Sequence, residues 1–389
     1  MRSTRFLFVV PPLAGHVNPT VAVAAELAAR GHEVAWTGPG EALTRLLPTH
    51  SRLFPSGDSP RGYAELHERW RDLRGVAALR FLWQEALIPL AHAMLPGVTA
   101  AVRAFRPDVL VADQQALAGA VVARRLDVPW VTSASTSAEF TRPFADYPKV
   151  GDWVAERIAG LLADCGDPGG WDPRFSDRLV LVFSTPALVG AEETFPGHYA
   201  FVGPALGARP ASADFPWDRL DPDRRRVLVS LGTLNREAGA RFYAAVLGAA
   251  ERLPADVQLI LAAPAELIGP VPPERVLLQD TVPQLALLPH LDAVVCHGGH
   301  NTVCEALAHG LPLVVAPIRD DQPIVAQQVV TAGAGVRVRF GRARTDELLG
   351  AVTAVLGDSA HRRAARRIQA SFSAAGGSAT AADRLEKLL

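Results

Sequence analysis

Cysteine is scarce. Cys165, Cys296 and Cys304 are the only three in 389 residues, which excludes the dense pairing of a disulfide-stapled extracellular scaffold and suits a reducing, cytoplasmic setting. Excess charge of either sign is also missing. With 39 Lys and Arg against 40 Asp and Glu, the formal net charge is −1, so no basic surplus exists to neutralise a nucleic-acid backbone or coat an anionic membrane. The arginine runs "RRR" (224–226) and "RRAARR" (362–367) read as solvated faces. No uninterrupted apolar run reaches the roughly 18 residues of a membrane-spanning helix, so stable membrane insertion is not expected. The apolar run in "MRSTRFLFVVPPLAGH" is short and broken by Pro11 and Pro12, and reads as a first β-strand and not as a secretory leader.

What is present is an ordinary folding composition, 49% hydrophobic and 20% charged. The length exceeds the roughly 250–300 residues at which a single core stops growing, so two domains are expected. One pattern recurs. "RFLFVV" (5–10) has strand length and "PPLAGHV" breaks it; Asn18 and Pro19 then suit the N-cap and first position of a helix "PTVAVAAELAAR". Gly31 supplies a left-handed stop before "HEVAWTG". The same grammar appears in "AVVCH", "GGH", "NTVCEALAH", Gly310 and "PLVVAP" (293–317), in "DVLVADQQALAGAVVARRLDVPWVTSAS" (108–135), and in the segment from Arg226 to Pro264. Strand and helix alternating through both halves predicts an α/β fold, two doubly wound parallel-sheet Rossmann-like domains facing across a cleft. The expected division is 1–205, a linker 206–226 rich in proline, glycine and charge, a second domain 227–372, and a terminal helix 373–389 packing back on the first.

The stretch 292–317 concentrates polar groups and has three readings. Cys296, His297, His300 and Cys304 have metal-ligand chemistry, but they straddle a strand end and a helix, which makes convergence on one ion awkward; the cysteines read as small core residues. An anion fits with less strain. Gly298 and Gly299 allow close backbone approach, the helix start near Asn301 offers unpaired N–H groups and a positive dipole end, and Thr302, His297 and Glu305 can add a hydroxyl, a ring N–H and an acceptor for sugar hydroxyls. Asn301 and Glu305 could equally form a capping box. Beyond Pro317, "RDDQP" places Asp320, Asp321 and Gln322 at the edge of the expected cleft.

At this point a family resemblance is carried by the residues themselves. "VPQLALLPHLDAVVCHGGHNTVCEALAHGLPLVVAPIRDDQ" (282–322), with "GHVNP" (15–19), "PDVLVAD" (107–113) and "VLVSLGT" (227–233), closely resembles the family 1, GT-B-fold glycosyltransferases, particularly bacterial enzymes that decorate natural products. The resemblance implies that His297, Asn301 and Thr302, with Gly299 beside them, hold a diphosphate, assisted by Ser230 and Thr233. It implies that Glu305 takes ribose hydroxyls, that Asp321 and Gln322 grip the transferred sugar, and that Val282 lies in the segment holding the base. One departure stands out: Thr281 occupies the position before "VPQ" where many relatives stack a tryptophan on the base. Uracil or thymine is left open.

Transfer to a hydroxyl calls for a base and for stabilisation of the leaving group. His16, on the turn before the expected helix, is the candidate base, since a positive helix end favours the neutral imidazole. Asp113, at the end of "VLVA", is its expected carboxylate partner; it could instead simply cap the next helix. Both roles match the family pattern. The expected activity is direct, inverting transfer from a UDP- or dTDP-sugar without metal or other cofactor; "DPD" (221–223) lies in the linker and reads as a turn. Trp70, Phe81, Trp83, Phe140 and Phe144 are candidates for a pocket taking a hydrophobic small-molecule acceptor, although aromatics at helical spacing also build cores. A sugar-nucleotide epimerase and a non-catalytic nucleotide-sugar-binding partner protein are the rival readings. A nicotinamide enzyme is disfavoured because neither half has GxGxxG after its first strand.

Overall fold

Apolar runs of strand length, each followed by a glycine- or proline-rich turn, form two separate parallel sheets. The computed structural model describes residues 3–57, 62–70, 72–141, 143–190, 195–207, 214–232, 239–269, 271–272 and 274–388. The chain divides into two units, the first Met1–Thr185 with Ala191–Pro210 and Ala375–Leu389, the second Pro186–Gly190 with Ala211–Ala374.

The first unit holds β1 (Arg5–Val9), β2 (Glu33–Pro39), β3 (Leu53–Ser56), β4 (Val109–Asp113), β5 (Trp130–Ala134), β6 (Val180–Val182) and β7 (Tyr199–Phe201), in the order β3-β2-β1-β4-β5-β6-β7. Every pairing is parallel. Burial on both faces explains why the strands read as continuous apolar runs. Phe6 and Phe8 turn to one core, Leu7 and Val9 to the other, all at 0–1% exposure. Each such side chain is worth roughly 1.5–3 kcal/mol of transfer free energy.

Helix Ala14–Ala29 corrects the expectation for the first turn. Helical structure begins at Ala14 with Leu13 as N-cap, and Pro19 lies inside the helix. The amides of both His16 and Val17 donate to the Leu13 carbonyl, so the turn closes ahead of Asn18. Pro19 therefore takes an interior position at which it can donate no backbone bond. His16 stands in the first helical turn, not on a loop before it. Gly31 does supply the left-handed residue after the helix, at φ 89°.

The helical run Gly75–Phe105 has the length and composition of a membrane span, which the interrupted sequence did not suggest. Its Leu90, Met94, Val98, Val102 and Phe105 are packed in the core with β1 and β4, as in the core helix of a globular domain. A π-helical turn, Leu82–Leu87, interrupts it.

The second unit holds β8 (Arg225–Ser230), β9 (Val257–Ala262), β10 (Val276–Gln279), β11 (Ala293–Cys296), β12 (Leu313–Val315) and β13 (Gly335–Arg337), ordered β10-β9-β8-β11-β12-β13 and again wholly parallel. Cys296 and Cys304 are buried core residues at 0% and 2% exposure. The chain then runs through helices Ser359–Ala375 and Gly377–Glu386, separated at Gly376, whose φ is 86°. The last helix packs Ala381, Ala382 and Leu385 into the core under β1 of the first unit. Arg30 reaches Asp383 at 2.6 Å and Glu386 at 2.8 Å, and His32 reaches Glu386 at 2.8 Å.

Candidate functional site

In both sheets the strand order reverses beside the strand that begins the unit, between β1 and β4 and between β8 and β11. Open parallel sheets bind ligands at the carboxyl ends of strands flanking such a reversal. His16 and Asp113 lie at the first of these places, and Ser230, His297 and Gly299 at the second.

In the first unit, Val9 pairs with Ala112 and Asp113 with Ser133. The chain leaving β1 into the helix thus passes the end of β4, and His16 Nδ1 lies 2.9 Å from Asp113 Oδ1. The Asp113 side chain is fully buried and that of His16 is 14% exposed. Asp113 does not cap helix Leu117–Arg125, whose N-cap is Ala116. Its Oδ1 accepts the Gln115 backbone N–H at 2.9 Å, closing a local turn.

A third group, which the sequence reading did not single out, completes this cluster. Ser135, just past β5, donates its hydroxyl to Asp113 Oδ2 at 2.6 Å, and its Oγ lies 2.7 Å from His16 Nδ1. The available signal was its place two residues beyond Ser133, the register partner of Asp113; alternation in a strand returns the side chain to the same face. Further out, Gln115 donates to Glu139 at 2.9 Å and Arg174 lies 3.7 Å from the same carboxylate. Burial pushes the Glu139 carboxyl up, opposed by the Arg174 guanidinium.

The aromatics expected to line an acceptor pocket are spread through this unit. Phe81, Trp83 and Phe140 are buried, while Trp70 and Phe144 are half-buried. Trp70 stacks on Phe81 with centroids 6.2 Å apart, Phe140 meets Phe195 edge-on at 5.7 Å, and Trp83 and Phe144 belong to the core around Leu161 and Ile158.

In the second unit, Ser230 ends β8 and is the register partner of Cys296, so the Ser230 turn and the turn at 297–299 lie side by side. Thr233 lies outside the described residues. Gly299, not Asn301, is the N-cap of helix His300–Ala308, with no side-chain cap bond. Asn301 and Thr302 therefore stand in the first helical turn and Asn301 is not the cap of a capping box, because the N-cap falls two residues earlier. A Cβ on Gly299 would sit 2.4 Å from His297 Nε2, and one on Gly232 2.6 Å from the Cε1 of the same ring. The imidazole fits only because both neighbours are glycine.

Burial pulls the His297 imidazole down to about 4, opposed by the Ser230 backbone and reinforced by the Arg319 guanidinium. It is neutral near pH 7, and its buried Nδ1 has no hydrogen-bond partner among the described residues. Such an orphan in a native fold calls for an explanation. Of the groups with metal-ligand chemistry, Cys304 Sγ lies 3.6 Å from His300 Nε2, and no cluster of three or more His, Cys, Asp or Glu forms among the described residues.

Glu305 is buried and accepts from Gln284 Nε2 at 2.5 Å. This ties the "VPQ" segment, with half-buried Val282, to the helix. Gln322 is also buried, and its Oε1 takes the backbone N–H groups of Ile318 and Arg319 at 2.9 and 3.1 Å. That oxygen shapes the loop, leaving the amide nitrogen as the donor end. Asp321 is the N-cap residue of helix Gln322–Thr331, without a side-chain cap bond. Asp320 takes a left-handed φ of 57°, which aspartate tolerates better than most residues.

Comparison with known proteins gives the family and the fold. The model for the erythromycin biosynthesis protein CIII-like C-terminal domain matches residues 244–388. The chain is 32% identical to demethyllactenocin mycarosyltransferase of Streptomyces fradiae, over 100% of this chain and 87% of that one. Among solved structures it is similar to the calicheamicin glycosyltransferase CalG4 (TM-score 0.78, 27% identity, 100% and 98% of the two chains). It is also similar to the spinosyn rhamnosyltransferase SpnG complexed with thymidine diphosphate (TM-score 0.75, 25%, 98% and 100%). The two parallel α/β sheets are those of a GT-B transferase. The chain belongs to the family 1 bacterial glycosyltransferases of natural-product pathways.

Proposed function

We propose that this glycosyltransferase inverts the anomeric centre, moving a sugar from a UDP- or dTDP-linked donor to a hydroxyl of a hydrophobic small molecule with His16 as general base and without a metal ion. The observation that carries the reading is the 2.9 Å contact between His16 Nδ1 and the buried Asp113 carboxylate. A carboxylate at Nδ1 holds the tautomer whose lone pair is on Nε2 and balances the charge that the ring acquires on taking a proton.

The steps follow from the residues. The acceptor hydroxyl gives its proton to His16 Nε2 as its oxygen attacks the anomeric carbon, and the bond from that carbon to the diphosphate oxygen breaks. The departing charge is held by the first turn of helix His300–Ala308, by Thr302 and by the neutral His297 ring, whose buried Nδ1, without a partner among the described residues, supports a polar ligand there. Dipoles and hydroxyls then take the part a cation plays in other transferases. Thymidine diphosphate in the related SpnG supports the dTDP alternative for the donor, and the half-buried Trp70 and Phe144 support an apolar acceptor.

Calorimetric titration with UDP and dTDP under chelator, followed by product analysis of the matching nucleotide sugars, tests this. Binding of one nucleotide and a β-linked glycoside from an α-linked donor are expected. Retained configuration, or a requirement for added divalent metal, would refute it.

A further inference from the structure

We propose that Ser135 is a positioning residue for the reaction, fixing both the tautomer of His16 and the orientation of Asp113; the proposal rests on the reading of His16 as the base. Three heavy-atom distances close a triangle: His16 Nδ1 to Asp113 Oδ1 at 2.9 Å, Ser135 Oγ to Asp113 Oδ2 at 2.6 Å, and Ser135 Oγ to His16 Nδ1 at 2.7 Å.

With a neutral ring, only one arrangement of protons satisfies all three. A carboxylate only accepts, so the serine hydroxyl must donate to Oδ2. Its proton spent, Oγ can only accept from the ring. Nδ1 then carries the hydrogen, shared between Asp113 Oδ1 and Ser135 Oγ, and the lone pair is on Nε2. If the hydroxyl instead turned towards an unprotonated Nδ1, both carboxylate contacts would lose their hydrogen, in a place where Asp113 is fully buried and such losses are expensive.

Ser135 also divides the labour on the carboxylate. The Gln115 backbone holds Oδ1 at 2.9 Å, so with Ser135 on Oδ2 each oxygen has a donor from a different element, and rotation of the carboxylate is resisted from both sides. During transfer the acceptor's proton moves to Nε2 while the Nδ1 proton stays on the ring. The new positive charge then faces a carboxylate whose geometry is already set, and no reorganisation is needed at that moment.

Full-length Ser135→Ala and Ser135→Thr, labelled with 15N-histidine, test this by proton–nitrogen correlation spectra, with the His16 signals identified by their absence from His16→Gln. Parent and Ser135→Thr should show an Nδ1-protonated His16 whose proton exchanges slowly; Ser135→Ala should lose the slow exchange. With UDP-glucose or dTDP-glucose as donor and 4-methylumbelliferone as probe acceptor, Ser135→Ala should lower kcat about tenfold, the loss of one hydrogen bond to a charged group. The donor KM should be unchanged and Ser135→Thr should restore the rate. A parent-like His16 signature in Ser135→Ala, or an unchanged kcat, overturns the proposal, as does failure of Ser135→Thr to restore both in a protein that melts like the parent. Full turnover by His16→Gln would instead sink the reading of His16 as base, while the spectra would still report the Ser135 contact.

Discussion

The side-chain amide of Gln284 donates to Glu305 Oε2 at 2.5 Å, so the segment after β10 is tied to helix His300–Ala308 through a buried carboxylate. Replacing Gln284 with alanine takes a donor from that carboxylate. The expected cost is about 1–3 kcal/mol, measured by urea unfolding, together with weaker nucleoside diphosphate binding by calorimetry. Unchanged affinity would show that this segment does not shape the donor site.

His16→Ala should lower transfer by about 10²–10⁴-fold, the usual worth of a positioned base. Nucleotide affinity should stay within twofold or so of the parent, since His16 belongs to the first unit and the residues proposed to hold the diphosphate belong to the second. Single-turnover rates and calorimetry on the same preparation separate the two effects.

Thr302→Ala should weaken nucleoside diphosphate binding about tenfold, the loss of one hydrogen bond to a charged group, with the nucleoside alone unaffected. Gly299→Ala should do more damage. Its new methyl would lie 2.4 Å from His297 Nε2, forcing the ring out of place at about 1–3 kcal/mol. A normal melting temperature in Gly299→Ala would mean that the ring has room to move.

His297 should make stability depend on pH. Its folded value, about 4, lies below the ordinary 6.5, so between these pH values the unfolded chain binds more protons than the folded one. Stability therefore rises with pH across this window and is lost as pH falls through it. Urea midpoints from pH 7.5 to 4.5 should fall less steeply in His297→Gln than in the parent.

Arg30 bridges Glu26, Asp383 and Glu386. Arg30→Met should destabilise by about 1 kcal/mol, since partly exposed pairs are individually weak, and should ease proteolysis of the last helix. The difference from the parent should shrink in high salt.

Much of the architecture was legible in linear order. The alternation of apolar strands with glycine-ended helices foretold both parallel sheets, and Gly31 and Gly310 both take the positive φ that a stop requires. Helix starts were less legible. Asn18 with Pro19, and Asn301, each carried a local start signal, yet both helices begin earlier, at Ala14 and His300. Local capping preference is worth only about 1 kcal/mol, less than the packing that sets where a chain turns off a sheet. The oxygen of Gln322 was illegible too, because its partners, the amides of Ile318 and Arg319, look alike in any sequence.

By itself the sequence determined the periodicities, and through them which segments become strands, which become helices and which faces are apolar, because these depend on spacings of two to four residues. It also carried the chemistry of His16 and Asp113 at the ends of two such segments. Only the tertiary structure decided that these residues, 97 positions apart, meet at 2.9 Å, and that Ser135, 119 positions from His16, joins them. Strand order decides this, and strand order is set by which apolar faces pack together across the whole sheet, a property that no short window of sequence contains.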